Sequence, residues 1–151
     1  MAEDFLGRRL TMKKDSTSYG AERPAWDKND CSIRALATAT GCGYAQASMI
    51  FTAAGRTLRQ GTTTALSQEV YEKWLGMIPL MHVEGMSLGE FARLAHTGNF
   101  IVHKFMHAFA VIDGVVHDWE GTSRDATKVV RAWRVTPATR AKLAKFGAFV
   151  A

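Results

Sequence analysis

The chain has 151 residues, a net charge of +5 and a hydrophobic fraction of 47%. These values suit one compact domain with a real core and argue against general disorder. No stretch approaches the ~18 consecutive apolar residues of a membrane span, and the first residues lack the pattern of a secretory signal. Two cysteines, Cys31 and Cys42, are too few for a disulfide framework in a domain of this size. We therefore expect a cytosolic protein that does not enter a membrane.

The first half of the chain is predicted to be mainly helical. Residues 1–28 are polar and mixed, and we expect them to form an arm over the core of a single domain that spans residues 1–151. Helical periodicity, capping residues and glycine stops predict four helices, at about 31–40, 44–54, 65–75 and 88–95.

The second half is rich in β-branched and aromatic residues, which predict strands. We place them at about 78–83, 100–112, 115–119 and 128–135. Asp113-Gly114 is a type I′ turn pair and predicts a hairpin, while Thr136 and Pro137 cap and begin a final helix. Helices followed by an antiparallel sheet indicate an α+β fold.

Cys31 lies in the first turn of the first predicted helix, with Asn29 or Asp30 as its N-cap. The partial positive charge of a helix N-terminus favours a thiolate. A carboxylate at Asp30 opposes this effect, unless it is used for capping. A free cysteine is more often a small buried apolar residue, and this is our interpretation of Cys42, which lies in a turn between two glycines.

The predicted hairpin gives Cys31 potential partners. If Asp113 and Gly114 are the two loop residues, His107 and Asp118 are diagonal neighbours on one face, ~7–8 Å apart. This spacing lets a carboxylate orient an imidazole, whereas His117 falls on the opposite face. His103 has the same parity as His107, and we predict that it lies at the surface or on the substrate side.

Two other functions can be weighed from the sequence. Cys31, Cys42, His103 and His107 are four potential zinc ligands, but their spacings do not form the close pairs of common zinc sites. We expect neither a metal nor an organic cofactor. The basic residues are scattered and are not interleaved with aromatic residues, so we interpret the charge as a solvated surface and do not expect nucleic acid as a partner.

The residues around these positions resemble a known group of proteins. The run Asn29-Asp30-Cys31, followed by Arg and Ala, a histidine near Ala-Val-x-Asp-Gly, and Asp118-Trp119 are similar to small cysteine-peptidase-like proteins of tailed bacteriophages. Those proteins in turn resemble the papain superfamily, nearest to its bacteriocin-processing peptidases. The resemblance covers roughly residues 29–119. It implies a papain-like fold in a host-cell cytoplasm or a virion, with Cys31 as nucleophile, His107 as general base and Asp118 as the orienting acid.

One departure from the papain-like pattern concerns the oxyanion. These enzymes usually carry a glutamine a few residues before the cysteine, and residues 23–28 contain none. We predict that Asn29 replaces it, together with the backbone N–H of Cys31. The expected function is a cysteine peptidase or related thiol hydrolase that cleaves a peptide or isopeptide bond of a protein or peptide substrate. The alternative is a non-catalytic phage interaction or virion protein on a peptidase-like scaffold.

Overall fold

The computed structural model describes residues 12–15, 29–57, 60–121 and 123–150. Within these ranges the chain forms six strands: β1 (Lys13–Asp15), β2 (Ile78–Pro79), β3 (Asn99–Lys104), β4 (His107–Ile112), β5 (Val115–His117) and β6 (Arg131–Arg134). It also forms five α-helices: α1 (Cys31–Thr40), α2 (Tyr44–Ala53), α3 (Thr64–Gln68), α4 (Leu88–Leu94) and α5 (Pro137–Val150). A π-helical segment, Glu69–Trp74, continues α3.

The described strands form one sheet in the order β1-β5-β4-β3-β6-β2. Only the β1–β5 pair is parallel, and the other pairs are antiparallel. The predicted α+β class is therefore confirmed. The predicted arm needs a correction, because residues 13–15 form an edge strand of the sheet and Met12 is buried beside it. The rest of that arm, residues 1–11 and 16–28, lies outside the described residues.

The sheet has an apolar core on each face. One core contains α1, α2, the π-helical segment and part of α5, packed on side chains such as Ile101 and Ala110. The other contains α4 and Met12, packed on side chains such as Val102 and Phe109. Successive residues of a strand point to opposite faces, so both cores draw on the same two central strands, β3 and β4.

Helix α1 begins and ends at the predicted residues. Gly41 follows it in the left-handed conformation, with φ at 75°, and its N–H donates to the Ala37 carbonyl. The nine residues 32–40 are all buried, because α1 lies between the sheet and α2 and contacts both. A helix enclosed in this way holds Cys31, its first residue, at a fixed position on the edge of the core.

The segment 100–112, predicted as one strand region, is two strands joined by a turn at Phe105 and Met106. Met106 has φ at 58°, and neither residue is the glycine or asparagine that marks most two-residue hairpin turns. Lys104 pairs with His107 across this turn, and His103 pairs with Ala108. Paired residues share a face of the sheet, so His103 and His107 point to opposite faces. The prediction that they share one is wrong.

The hairpin at Asp113-Gly114 is confirmed, with φ at 48° and 79° as a type I′ turn requires. Ala110 pairs with His117, which is the register expected from the turn. The strand is shorter than predicted, because β5 ends at His117 and Asp118 lies in the loop that follows. The strands predicted at 78–83 and 128–135 are likewise reduced to the residues of β2 and β6.

The predicted helix starts after α2 are borne out by their caps. Thr63, Ser87 and Thr136 each accept a hydrogen bond at the side-chain oxygen from the backbone N–H three residues later. Such a bond satisfies one of the unpaired N–H groups at a helix start. The helix predicted at 65–75 starts one residue earlier and changes to π-helical hydrogen bonding at Glu69.

We expect Met12→Ala to destabilise the fold by about 2 kcal/mol or more, because a buried methionine side chain is lost from the second core. Met12 is 7% exposed. Lys13→Ala, at the exposed neighbouring position, is the matched control and should change the free energy of unfolding by less than ~0.5 kcal/mol. Urea denaturation of both variants measures the difference. Equal values for the two variants would show that β1 and Met12 are not part of the folded core.

Candidate active site

The start of β4 and the loop after β5 bring an imidazole and a carboxylate together. His107 Nε2 lies 2.8 Å from Asp118 Oδ1, and the two side chains are 6% and 2% exposed. His107 is the first residue of β4, and Asp118 is the first residue after β5, so the β4–β5 register places them side by side. The predicted diagonal proximity of these two residues is therefore present as a direct, buried hydrogen bond.

Asp118 is surrounded by donors. Ser123 Oγ donates to its Oδ2, the backbone N–H of Glu120 donates to its Oδ1 at 3.2 Å, and Lys104 Nζ lies 3.8 Å from Oδ2. Burial acts to raise the pKa of Asp118, but the hydrogen bonds from His107 and Ser123 outweigh it and hold that pKa well below its usual range. The carboxylate therefore stays ionised at neutral pH.

Cys31 lies beside His107 at the start of α1. The two residues line one cavity, and the Cys31 side chain is near enough to His107 to act on the pKa of its imidazole. Asp118 occupies Nε2 of His107, so Nδ1 is the ring nitrogen left for the thiol. Glu120 also approaches this nitrogen, with Oε2 3.6 Å from Nδ1. The three predicted residues, Cys31, His107 and Asp118, thus follow one another in space as thiol, imidazole and carboxylate.

The imidazole is charged at neutral pH. Burial acts to lower the pKa of His107, but the hydrogen bond to Asp118, with its negative charge, and the nearby Cys31 side chain raise it to about 9. The site therefore places a charged imidazole in the same cavity as a cysteine at the start of a helix.

Aromatic side chains fix the orientation of the imidazole. The Phe109 ring stacks on it at 6.0 Å between centroids, and the Trp119 ring meets it edge-on at 5.4 Å. The guanidinium of Arg34 lies 4.3 Å from the centre of the Trp119 ring. Because Arg34 is on α1, one turn after Cys31, this contact ties the helix that carries the thiol to the loop that carries Asp118.

The residues before Cys31 are held by two bonds that the sequence did not indicate. Asp30, one of the two predicted candidates, is the N-cap residue of α1, but its side chain makes no capping bond. Instead its Oδ2 accepts a hydrogen bond from the Tyr44 hydroxyl at 2.9 Å. The carbonyl of Asn29 accepts a bond from Arg56 Nη2 at 3.2 Å. Asn29 itself is exposed and lines the same cavity as Cys31.

The cavity beside Cys31 has a volume of about 770 Å³, enough for several residues of an extended peptide. Residues 61–64 form one wall, and the β3–β4 turn forms another. At that turn Phe105 and Met106 are 82% and 86% exposed. The cavity is therefore an open cleft between the helical layer and the sheet, with apolar side chains at its mouth.

The other candidate residues are placed differently. Cys42 follows the far end of α1, about 15 Å of helix from Cys31, and lines a separate surface cavity with Arg140. His103 lines the main cavity but is buried between Tyr71 and Trp133 rather than lying at the surface. Among the described residues, no group of three or more His, Cys, Asp or Glu side chains is arranged to hold a metal ion.

Sequence reasoning missed the residues that support the pair. Ser123, Glu120 and Lys104 all contact Asp118, but none belongs to a periodic pattern or a motif. Ser123 lies in an irregular loop, and Lys104 contacts Asp118 only because a turn without glycine returns the chain at Phe105 and Met106. Their roles follow from the tertiary fold, which a local pattern does not encode.

Comparisons with known proteins add no relative. No family model, no curated protein and no solved structure matches this chain. Searching the described residues for membrane spans finds no helix that is both long enough and apolar enough. The interpretation of the site therefore depends on its geometry and chemistry.

The stability of the protein should depend on pH through His107. Its pKa is about 9 in the folded state and ~6.5 in an unfolded chain, so the folded state holds this proton more tightly. The stabilisation is complete below about pH 6.5 and is lost as the pH rises through about 9. In urea denaturation, the free energy of unfolding of the wild type should therefore fall between pH 6.5 and 9.5.

His107→Gln should flatten this decline, because the titrating group is gone. His96→Gln changes an exposed histidine outside the site and should follow the wild type. If all three proteins show the same pH dependence, the His107 proton is not held by the folded site.

Proposed function

We propose that this chain is a papain-like cysteine hydrolase that cleaves a peptide or isopeptide bond through Cys31, His107 and Asp118. The observation that carries the proposal is the His107 ring, which bonds a buried carboxylate at Nε2 and lines the same cavity as a thiol at a helix start. A papain-like fold belongs to the proposal. It is supported by the enclosed helix α1 with its terminal thiol, packed against the strand that begins with the imidazole.

The chemistry has two halves. The thiolate of Cys31 attacks the substrate carbonyl carbon and forms a C–S bond. His107 then gives its Nδ1 proton to the leaving nitrogen, the C–N bond breaks and an amine departs, leaving a thioester on Cys31. A water molecule next attacks the thioester while neutral His107 takes one of its protons. The C–S bond breaks, the carboxylic acid leaves, and the thiolate–imidazolium pair is restored.

Asp118 holds the imidazole in one orientation through both halves of the reaction and stabilises its positive charge, as the acid of a triad does. The oxyanion of each tetrahedral intermediate needs donors near Cys31. The backbone N–H of Cys31 at the start of α1 is one, and the side-chain amide of Asn29 is the other. The bond from Arg56 to the Asn29 carbonyl supports this role, because it fixes the backbone from which the amide projects.

A phage origin, with the host cytoplasm or a virion as its location and a protein or peptide as its substrate, belongs to the same proposal. It depends on the resemblance to small phage-encoded peptidases described above. The second candidate, a non-catalytic interaction protein on this scaffold, is favoured by one observation. Phe105 and Met106 expose two large apolar side chains next to each other, and adjacent exposed apolar residues often mark a contact surface.

Alkylation of Cys31 separates the two candidates. At pH 6.5 an ordinary thiol is only about 1% ionised, so we expect iodoacetamide to modify Cys31 at least about ten-fold faster than Cys42. His107→Ala should slow the reaction toward the rate of an ordinary thiol, and Asp118→Asn should slow it by less. Mass spectrometry of the labelled peptides measures each rate between pH 5 and 10, with Cys31→Ser identifying the site of labelling.

The wild type and the two partner variants could instead give the same curve of alkylation rate against pH, with a midpoint near ~8.5. That result would contradict the hydrolase and favour the non-catalytic interaction protein. If alkylation supports the hydrolase, cleavage of peptides is the second test. The wild type should generate new amino termini in a mixed peptide library, and Cys31→Ser should generate none.

A further inference from the structure

The turn between β3 and β4 has two features that the stability of the fold does not explain. Its two residues, Phe105 and Met106, have side chains that are 82% and 86% exposed. Met106 also has φ at 58°, a left-handed conformation that glycine and asparagine adopt more easily than methionine. Large apolar side chains that stay in water contribute nothing to a core, so we expect them to contact another molecule.

These two side chains lie in the candidate active site. Phe105 and Met106 line its cavity together with Val130, which is 37% exposed. The backbone N–H of Val130 donates to the His103 carbonyl at 2.8 Å, and this bond holds Val130 beside the end of β3. We call Phe105, Met106 and Val130 the apolar rim. Other exposed apolar side chains of the described residues, such as Met81, lie outside this cavity.

The apolar rim belongs to the same wall of the cleft as His107. Met106 is bonded directly to His107, and Phe105 precedes it, whereas residues 61–64 form another wall. In the proposed reaction His107 gives its Nδ1 proton to the leaving nitrogen, so that nitrogen comes within hydrogen-bond reach of the imidazole. The side chain of the leaving residue branches from the carbon bonded to this nitrogen. It therefore enters the part of the cleft that His107 and the apolar rim form.

The charged groups of the cavity carry both signs. Glu120 Oε2 lies 3.6 Å from His107 Nδ1, and Lys104 Nζ lies 3.8 Å from Asp118 Oδ2. Arg131, the first residue of β6, is an exposed cation that lines the same cavity. A charged side chain on the leaving residue would therefore meet a like charge as well as an opposite one. A large apolar side chain instead removes the apolar surface of the rim from water, together with its own.

From this arrangement we propose that Phe105, Met106 and Val130 form a binding subsite for a large apolar side chain on the substrate residue that supplies the leaving nitrogen. This inference rests on the proposed thiol hydrolase function and names the substrate class of that same site. The occupant is part of the substrate, because the apolar rim is continuous with the wall of the cleft that carries His107. The rim residues bind the substrate and exchange no proton with it.

Acetyl transfer to amino acid amides tests the inference on the full chain. Cys31 takes the acetyl group of p-nitrophenyl acetate, and p-nitrophenolate leaves. An amine then attacks the thioester in place of water, which reverses the departure of an amine and uses the same subsite.

Leucine amide against asparagine amide, and methionine amide against glutamine amide, are pairs of similar size and different polarity. When the two amines of a pair compete at equal concentration, the apolar one should receive about ten-fold more acetyl. Mass spectrometry measures the products, after subtraction of the yields obtained with Cys31→Ser. Equal yields, or higher yields with the polar amides or with arginine or glutamate amide, would overturn the inference.

Substitutions assign the preference to the apolar rim. Phe105→Ser combined with Met106→Asn removes the two most exposed side chains of the rim, and asparagine tolerates the φ of Met106. This double variant should lose the preference, while its acetyl-enzyme reacts with water at close to the wild-type rate. Phe105→Ser alone should lose part of the preference and serves if the double variant does not fold. Met81→Asn, at a 75% exposed position outside the cavity, is the matched control and should keep it. A preference that persists in the folded double variant would overturn the inference.

The acetyl-enzyme separates this inference from the function on which it rests. Acetylation of Cys31 that depends on His107, without any preference among the amines, would contradict the apolar subsite alone. Acetylation of Cys31 that is absent, or equally fast in His107→Ala, would contradict the thiol hydrolase and the subsite together. Sedimentation velocity tests a second copy of the chain as the occupant. The wild type and the double variant should sediment as the same species, and a wild-type dimer that the double variant loses would overturn the inference.

Discussion

The buried bond between His107 and Asp118 is the interaction on which the rest of the site depends. A carboxylate that is only 2% exposed is tolerated in a protein interior when it is paired and hydrogen-bonded. Asp118 meets this condition through His107, the Ser123 hydroxyl and the backbone N–H of Glu120. The same contacts keep it ionised, and its charge keeps His107 protonated. The contacts that stabilise the buried carboxylate therefore also keep the imidazole protonated.

Two hairpins and one helix produce this arrangement. The turn at Phe105 and Met106 makes His107 the first residue of β4, and the turn at Asp113-Gly114 returns β5 so that it ends one residue before Asp118. Helix α1 packs against β4, and its first residue, Cys31, lines the same cavity as the imidazole. The contact between Arg34 and the Trp119 ring links the helix to the loop. A shift in the register of either hairpin would separate the three groups.

Local signals predicted part of this geometry and tertiary packing determined the rest. Gly41 and the apolar run before it were sufficient for α1, and Asp113-Gly114 was sufficient for the register that joins His107 to Asp118. The turn at Phe105 and Met106 has no such signal. The sequence therefore did not show that His103 and His107 lie on opposite faces of the sheet. The parallel edge strand β1 comes from a distant part of the chain. The Ser123 hydroxyl, five residues after Asp118, reaches that carboxylate through an irregular loop. Neither partner can be identified from periodicity or spacing. The failures thus concern a turn and a loop without a sequence signal, and one strand pairing that is distant in sequence.

The most direct test of the account is the titration of the His107 ring by nuclear magnetic resonance, in the wild type and in Cys31→Ser. We expect a midpoint near 9 in the wild type, because Asp118 and Cys31 both favour the imidazolium. Cys31→Ser removes one of these two partners and should lower the midpoint, while Cys42→Ser should leave it unchanged. A midpoint near ~6.5 in the wild type, or one that does not respond to Cys31→Ser, would contradict a coupled thiol–imidazole pair.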